Sequence, residues 1–80
     1  MEWVAGLSWS DDYREMLRLL KEARKKKGLT QVEVAEALGW GQSLVSKIER
    51  GEIRIDPIEL RRFAELYGVE LSDLVPKKAK

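Results

Sequence analysis

The stretch from Thr30 to Gly51, TQVEVAEALGWGQSLVSKIERG, constrains the fold more than any other part of the chain. It spells two short helices separated by a tight turn. Thr30 suits the cap of the first, Gln31–Leu38, because its hydroxyl can accept the backbone N–H of Glu33 while the Glu33 carboxylate reaches back. Leu29 and Val34 flank that cap at the positions of a hydrophobic staple. Gly39 ends the helix, since the left-handed backbone that commonly follows a helix is open to glycine at no steric cost. Gly41 is the expected cap of a second helix over residues 42–50, with Trp40 and Val45 as its staple and Gly51 as its stop. Ala35 leaves room in mid-helix for a neighbour to cross closely. Two short helices joined by a glycine-bearing turn form a unit able to lay its second helix in the major groove of DNA.

The flanking segments read as further helix. From Ser10 or Asp11 to Lys27, the residues Tyr13, Met16, Leu17, Leu20 and Ala23 recur at helical spacing. Asp11, Asp12 and Glu15 stand at the expected start and Arg24-Lys25-Lys26-Lys27 at the end, so charge opposes the helix dipole at both ends. That basic run reads as dipole complementation and solvation before it reads as a nucleic-acid patch. After Gly51, Ile53 or Ile55 should turn inward. Asp56-Pro57-Ile58-Glu59 then supplies a cap, a proline at the first helical position and a capping-box glutamate. The fourth helix should run to Tyr67, with Leu60, Phe63, Ala64 and Tyr67 inward and Ile58 and Leu66 off that face. Residues 70–75 read as a short fifth helix stopped by Pro76. The expectation is an all-α domain over residues 10–76, between an N-terminal arm (1–9) and a basic tail (77–80). Trp3 and Trp9 in the arm are expected to cover one edge of a small core, with a partner-binding arm as the alternative.

Composition narrows the function classes. Eighty residues make one small domain. The chain contains no cysteine and no histidine, which removes disulfides, thiolate and imidazole metal sites, and the usual nucleophile and general base. No metal or cofactor is expected, and a catalytic role ranks last because the carboxylates sit at caps and on charged helix faces. No apolar run approaches the roughly 20 residues that span a bilayer, and the first ten residues do not read as a signal peptide. A cytoplasmic protein without a membrane partner is the expectation. The net charge of +1, from 15 basic and 14 acidic residues, permits DNA binding without compelling it, so the distribution of charge has to decide.

Gln31, Ala35, Gly39, Val45 and Ile48, with the ending SKIERG (46–51), resemble the helix-turn-helix of the lambda-repressor-like, Cro-type (XRE) family. They fall where that family carries its glutamine, small residue, turn glycine and two buried aliphatics. The similarity extends from about Met16 to Val75. It implies a compact five-helix lambda-repressor-like DNA-binding domain with the helix-turn-helix at helices 2 and 3. It also implies a sequence-specific transcriptional regulator, in the repressor mode, that binds a palindromic operator as a homodimer. Arg24 matches a family arginine that pairs with the glutamate at Glu49. Such a pair would lie beneath the recognition helix, where a lone charge is costly.

If Val45 and Ile48 face inward and Glu49 turns toward the first helix, Gln42, Ser43, Ser46 and Lys47 are left to read bases. The Gln42 amide can accept and donate at once, matching adenine N7 and N6, and the resemblance implies base contacts at Gln42 and Ser43. Lys47 suits guanine O6 or N7, or a phosphate. Leu44 can pack on a thymine methyl or sit half-buried beside Trp40. For phosphate, Gln31 comes first, because free N–H groups at a helix N-terminus favour an anion and the resemblance implies that contact. Thr30 beside it, and Arg50 and Arg54 around the next connection, follow. The resemblance places dimerisation around helices 4 and 5, where Ile58, Leu66 and Val75 are the expected exposed residues and Val69 and Leu71 the expected core. Partners are therefore double-stranded DNA and a second copy. Two alternatives stand beside this: an antitoxin that neutralises a toxin and represses its own operon, and a protein–protein module on the same fold, motivated by the near-neutral charge.

Overall fold

Among the described residues, four α-helices and one 3-10 turn follow in order: α1 (Val4–Lys27), α2 (Gln31–Leu38), α3 (Gln42–Glu49), α4 (Pro57–Tyr67) and the turn Leu71–Leu74. The computed structural model describes the backbone of residues 4–77 and the side chains of residues 11–77. The packing expected of Trp3 and Trp9, and residues 78–80 of the tail, lie outside them. No strand occurs among the described residues. None of their helices is long and apolar enough to cross a membrane.

Two elements depart from the sequence reading. α1 begins at Val4, not at Ser10 or Asp11, so residues 4–9 continue the helix and no acidic residue stands in its first turn. Ser10-Asp11-Asp12 has the composition of a helix start, but no proline lies upstream to break the helix. The expected fifth helix is a single 3-10 turn. Gly68 ends α4 and Pro76 follows Val75, whose backbone is extended (φ −110°, ψ 131°), as a residue before proline prefers. That leaves space for one turn, closed by the Asp73 N–H on the Glu70 carbonyl at 2.9 Å and by the Glu70 N–H on Asp73 Oδ2 at 3.0 Å.

The other boundaries follow from their caps. Thr30 and Glu33 form the reciprocal capping box of α2, and Asp56 and Glu59 that of α4. Gly39 takes the left-handed conformation (φ 74°) and its end of α2 is closed by the Trp40 N–H on the Ala35 carbonyl at 2.8 Å. α3 stops at Glu49, one residue earlier than expected, with Arg50 as its C-cap.

The core collects Met16, Leu17 and Leu20 from α1, Val34, Ala35 and Leu38 from α2, Val45 and Ile48 from α3, and the expected four residues of α4. Leu74 from the 3-10 turn joins them. Phe63 lies at its centre, edge-on to Trp40 (centroids 5.6 Å apart) and tilted against Tyr67 (5.8 Å). α1 lies against α3, α4 and the 3-10 turn, while α2 and α3 pack chiefly on each other. Between α3 and α4, Ile55 turns inward and Ile53 stays exposed. The Ile55 N–H donates to the Tyr13 hydroxyl at 3.1 Å, which pins this connection to α1.

Tyr67 is buried, and its hydroxyl has no hydrogen-bond partner among the described residues. Burial, reinforced by the nearby Glu49 carboxylate and opposed by Arg24, pushes its ionisation well above the usual phenol range. The unfolded chain releases this proton near pH 10.0, whereas the folded protein retains it. The folded state therefore binds more protons at alkaline pH, and stability falls as pH rises past that value. Tyr67→Phe should raise stability at neutral pH by about 1 kcal/mol, by removing an unpaired buried hydroxyl. It should also flatten the alkaline loss, and urea unfolding of both proteins at pH 7 and above pH 10 checks both effects.

Candidate nucleic-acid interface

α2 and α3 are each eight residues long, too short to persist in water without tertiary support. Their order comes from the core below. Val45 and Ile48 are essentially fully buried, which turns the opposite edge of α3 outward and exposes Gln42, Ser43 and Lys47. The N-cap, Gly41, has no side chain to satisfy the first N–H groups of α3. Those donors and the positive end of the helix dipole therefore lie beside Gln42 and Ser43.

Beneath this edge runs a buried ion pair. Arg24 Nε donates to Glu49 Oε2 at 2.7 Å and Nη2 to Oε1 at 3.2 Å, with side-chain exposures of 10% and 3%. The third guanidinium nitrogen, Nη1, donates to the Leu29 carbonyl at 2.9 Å. Gln31 Nε2 completes the carboxylate by donating to Oε1 at 2.9 Å. The arrangement fixes α3 to α1 and to the entrance of α2, with both buried charges hydrogen-bonded.

The remaining candidates divide by position. Gln31 is half-buried with part of its amide committed to Glu49, so its backbone N–H and the rest of the amide are what it can offer a phosphate. Thr30 is exposed; its hydroxyl accepts the Glu33 N–H at 3.1 Å and keeps its own proton to donate. Ser46 is half-buried rather than exposed, and its Oγ accepts from Arg50 Nη1. Leu44 is likewise half-buried against the core, because its place on α3 brings it toward the side that Val45 and Ile48 bury. Arg50 is exposed and paired with Glu52, Nε to Oε2 at 2.8 Å; these bonds hold the Glu52 carboxyl below the usual carboxylate range. Arg54 is exposed, with its guanidinium 4.3 Å from the centre of the Tyr13 ring.

The candidates for a second-copy contact also separate. Ile58 and Val75 are exposed, at 57% and 45%. Leu66 is half-buried against the core and is not the open surface residue expected; Leu71, expected in the core, is exposed at the start of the 3-10 turn, whose buried residue is Leu74. Among the described residues, no group of histidine, cysteine or acidic side chains could hold a metal ion. The sequence reading missed the Gln31–Glu49 bond, the Arg50–Glu52 pair, and Arg62, which donates to the Leu38 carbonyl at 3.2 Å beside the Trp40 ring. The glutamine spacing carries no sign of the first, since it depends on how α2 crosses α3. An arginine and a glutamate two residues apart around Gly51 were the available sign of the second.

The two short helices pack on each other and the second presents an exposed polar edge, the layout of a helix-turn-helix. The helix-turn-helix family model matches residues 20–74, and the chain belongs to that family of DNA-binding transcriptional regulators, in its XRE-type branch. It is 36% identical over 63 residues to the ImmF control region 10 kDa protein of Bacillus phage phi105, covering 79% of this chain and 70% of that one. It is 41% identical over 58 residues to the HTH-type transcriptional regulator ImmR of Bacillus subtilis (strain 168), covering 72% of this chain and 46% of ImmR. The chain thus spans about half the length of ImmR. An uncharacterized HTH-type transcriptional regulator, y4dJ of Sinorhizobium fredii (strain NBRC 101917 / NGR234), is 40% identical over 52 residues, 65% of this chain and 68% of that one. No solved structure matches the chain significantly.

Breaking the buried pair leaves an uncompensated charge. Arg24→Ala and Glu49→Ala should each lower stability by about 3–5 kcal/mol, whereas replacing both with apolar residues should recover much of the loss. Urea titrations of the two single variants and of Arg24→Met/Glu49→Leu measure this directly; a single variant as stable as the parent would contradict the burial.

Proposed function

We propose that this chain is a transcriptional repressor that binds a palindromic operator as a homodimer, with α3 in the major groove. The observation that carries the reading is the division of α3 into a buried edge, Val45 and Ile48, and an exposed one, Gln42, Ser43 and Lys47. Gln42 reads an adenine through its amide, Ser43 and Lys47 contact neighbouring base edges, and the half-buried Ser46 and Leu44 contribute at the margin of that footprint. Thr30, Gln31, Arg50 and Arg54 hold the backbone phosphates that set register. Repression is the mode that similarity to Cro-type proteins implies. The names of the relatives, which speak of a control region and a transcriptional regulator, agree with a regulatory role.

Selection of bound duplexes from a random pool tests the scheme. It should return two inverted half-sites about 34–36 Å apart, one turn of duplex, and affinity should fall steeply with salt as counterions are released. Gln42→Ala should change the preferred base at one position per half-site by about 1–3 kcal/mol. Arg54→Ala should weaken all duplexes alike. Equal losses for both variants on selected and random DNA would refute the assignment of roles.

A second copy is needed because one eight-residue helix reads few base pairs. Ile58, Leu71 and Val75, exposed apolar residues of α4 and the segment after it, support a dimer contact there. Ile58→Glu should shift sedimentation toward the monomer and lower operator affinity while leaving the melting temperature near that of the parent. A dimer that survives Ile58→Glu unchanged would place the contact elsewhere.

A further inference from the structure

On the side of α1 that faces the α3–α4 connection lies a cleft of about 220 Å³ lined by Tyr13, Arg14, Leu17, Arg50, Gly51 and Arg54. Three of the six lining residues are arginines, and no acidic residue lines it among those described. The volume is several times the roughly 30 Å³ share of a water molecule, so it admits one oxyanion with part of its hydration. Gly51 closes its floor under tight constraint: its backbone is left-handed (φ +80°), and a Cβ there would meet Leu17 Cδ1 at 3.2 Å. The Arg54 guanidinium lies over the Tyr13 ring, 4.3 Å from its centre, a cation–π contact that draws Arg54 to this side of α1. Arg14 comes from α1, two elements away in sequence from Arg50 and Arg54, so the fold and not local composition gathers this charge. Of the acidic residues adjoining these arginines in sequence, Glu15 is engaged by Arg18 at 2.6 Å and Glu52 by Arg50 at 2.8 Å.

We propose that this cleft is an oxyanion site that takes a phosphate of the DNA backbone, with Arg14 as its principal donor, and that it extends the protein's footprint from α3 onto α1. The proposal rests on the DNA-binding reading above and adds Arg14 to it. Geometry favours a backbone phosphate over a free one. Arg50, which lines the cleft, also donates to Ser46 on α3, so the cleft adjoins the end of the helix assigned to the groove. A duplex strand held at the C-terminal end of α3 would pass the cleft. Arg50 contributes less than its charge suggests, because Glu52 competes with any phosphate for the same guanidinium.

The test uses the full chain and Arg14→Gln, with Arg14→Lys as the charge-conserving control and thermal melting to verify that each is folded. Binding to a selected duplex is measured between 50 and 200 mM salt, and pyrophosphate is titrated separately while the backbone amides of residues 13, 14, 51 and 54 are followed by NMR. Arg14→Gln should reduce the slope of log affinity against log salt by about 0.9, the value of one phosphate contact. Arg14→Lys should restore most of it, and the base preference assigned to Gln42 should not change. An unaltered slope in Arg14→Gln, with duplex binding otherwise intact, would overturn the cleft as a DNA contact while leaving the function standing. If the parent binds no duplex, the function itself fails. Pyrophosphate shifts at residues 14 and 51 that vanish in Arg14→Gln would then assign the cleft to free phosphate compounds, and their absence would overturn the oxyanion site altogether.

Discussion

The ion pair between Arg24 and Glu49 is the interaction on which the geometry of the interface depends. A guanidinium and a carboxylate at this depth are stable because the donors and acceptors facing the pair are used together. Glu49 accepts from Arg24 twice and from Gln31 once, and Arg24 reaches the Leu29 carbonyl with the nitrogen left over. The bonds run to α1, to the segment before α2 and to the first residue of α2. α3 is therefore held at its C-terminal end by directional bonds and along its length by Val45 and Ile48. Apolar burial alone would hold α3 against the core but would allow it to roll; the bidentate fork specifies the rotation. Rotation decides which residues of α3 face outward, so the buried pair governs a surface it does not touch.

The same pair changes how the charge of the molecule should be counted. A sum of +1 treats Glu49 as a negative group near the recognition edge, yet its charge is cancelled in the interior. Glu52 is neutralised in turn by Arg50 at the surface. The other cations near α3 are Lys47, Arg54 and, across the connection, Arg14. So small a set of cations gives modest non-specific attraction, since that term scales with the number of phosphates neutralised. A domain with so little net charge has to draw its discrimination from base edges more than from field strength. Near-neutral composition is thus compatible with a DNA-binding domain whose charges are sorted by depth.

The capped elements were legible in the sequence for a physical reason. Thr30/Glu33 and Asp56/Glu59 are local reciprocal hydrogen bonds, three residues apart, and need no tertiary information. The inward set of α3 and α4 followed from helical period, and Arg24–Glu49 from family resemblance. What was not legible depended on other things. The start of α1 was misplaced because Ser10-Asp11-Asp12 carries helix-start residues inside a helix that nothing interrupts. Leu71 and Leu66 were assigned to the wrong depths because Leu71 lies in a 3-10 turn and Leu66 borders the core without belonging to its central stripe. The bond from Gln31 to Glu49 joins residues whose proximity is a product of packing, as is the gathering of Arg14 and Arg54 around one cleft.

These two kinds of legibility meet at the N-terminus of α3. A side-chain cap such as Thr30 or Asp56 stabilises a helix by about 1 kcal/mol, and α2 and α4 both use one. α3, which has least intrinsic means to persist, begins at Gly41 without one. The missing local stabilisation is replaced from below, by Val45, Ile48 and the Glu49 carboxylate. The exchange has a steric consequence. A serine or aspartate at position 41 would fold its oxygen over the first N–H groups and stand beside Gln42, whereas glycine leaves those donors and the two residues after them uncovered. The helix end that faces outward is thus kept free of its own acceptors, and the stability this forgoes is supplied from the buried side of the same helix.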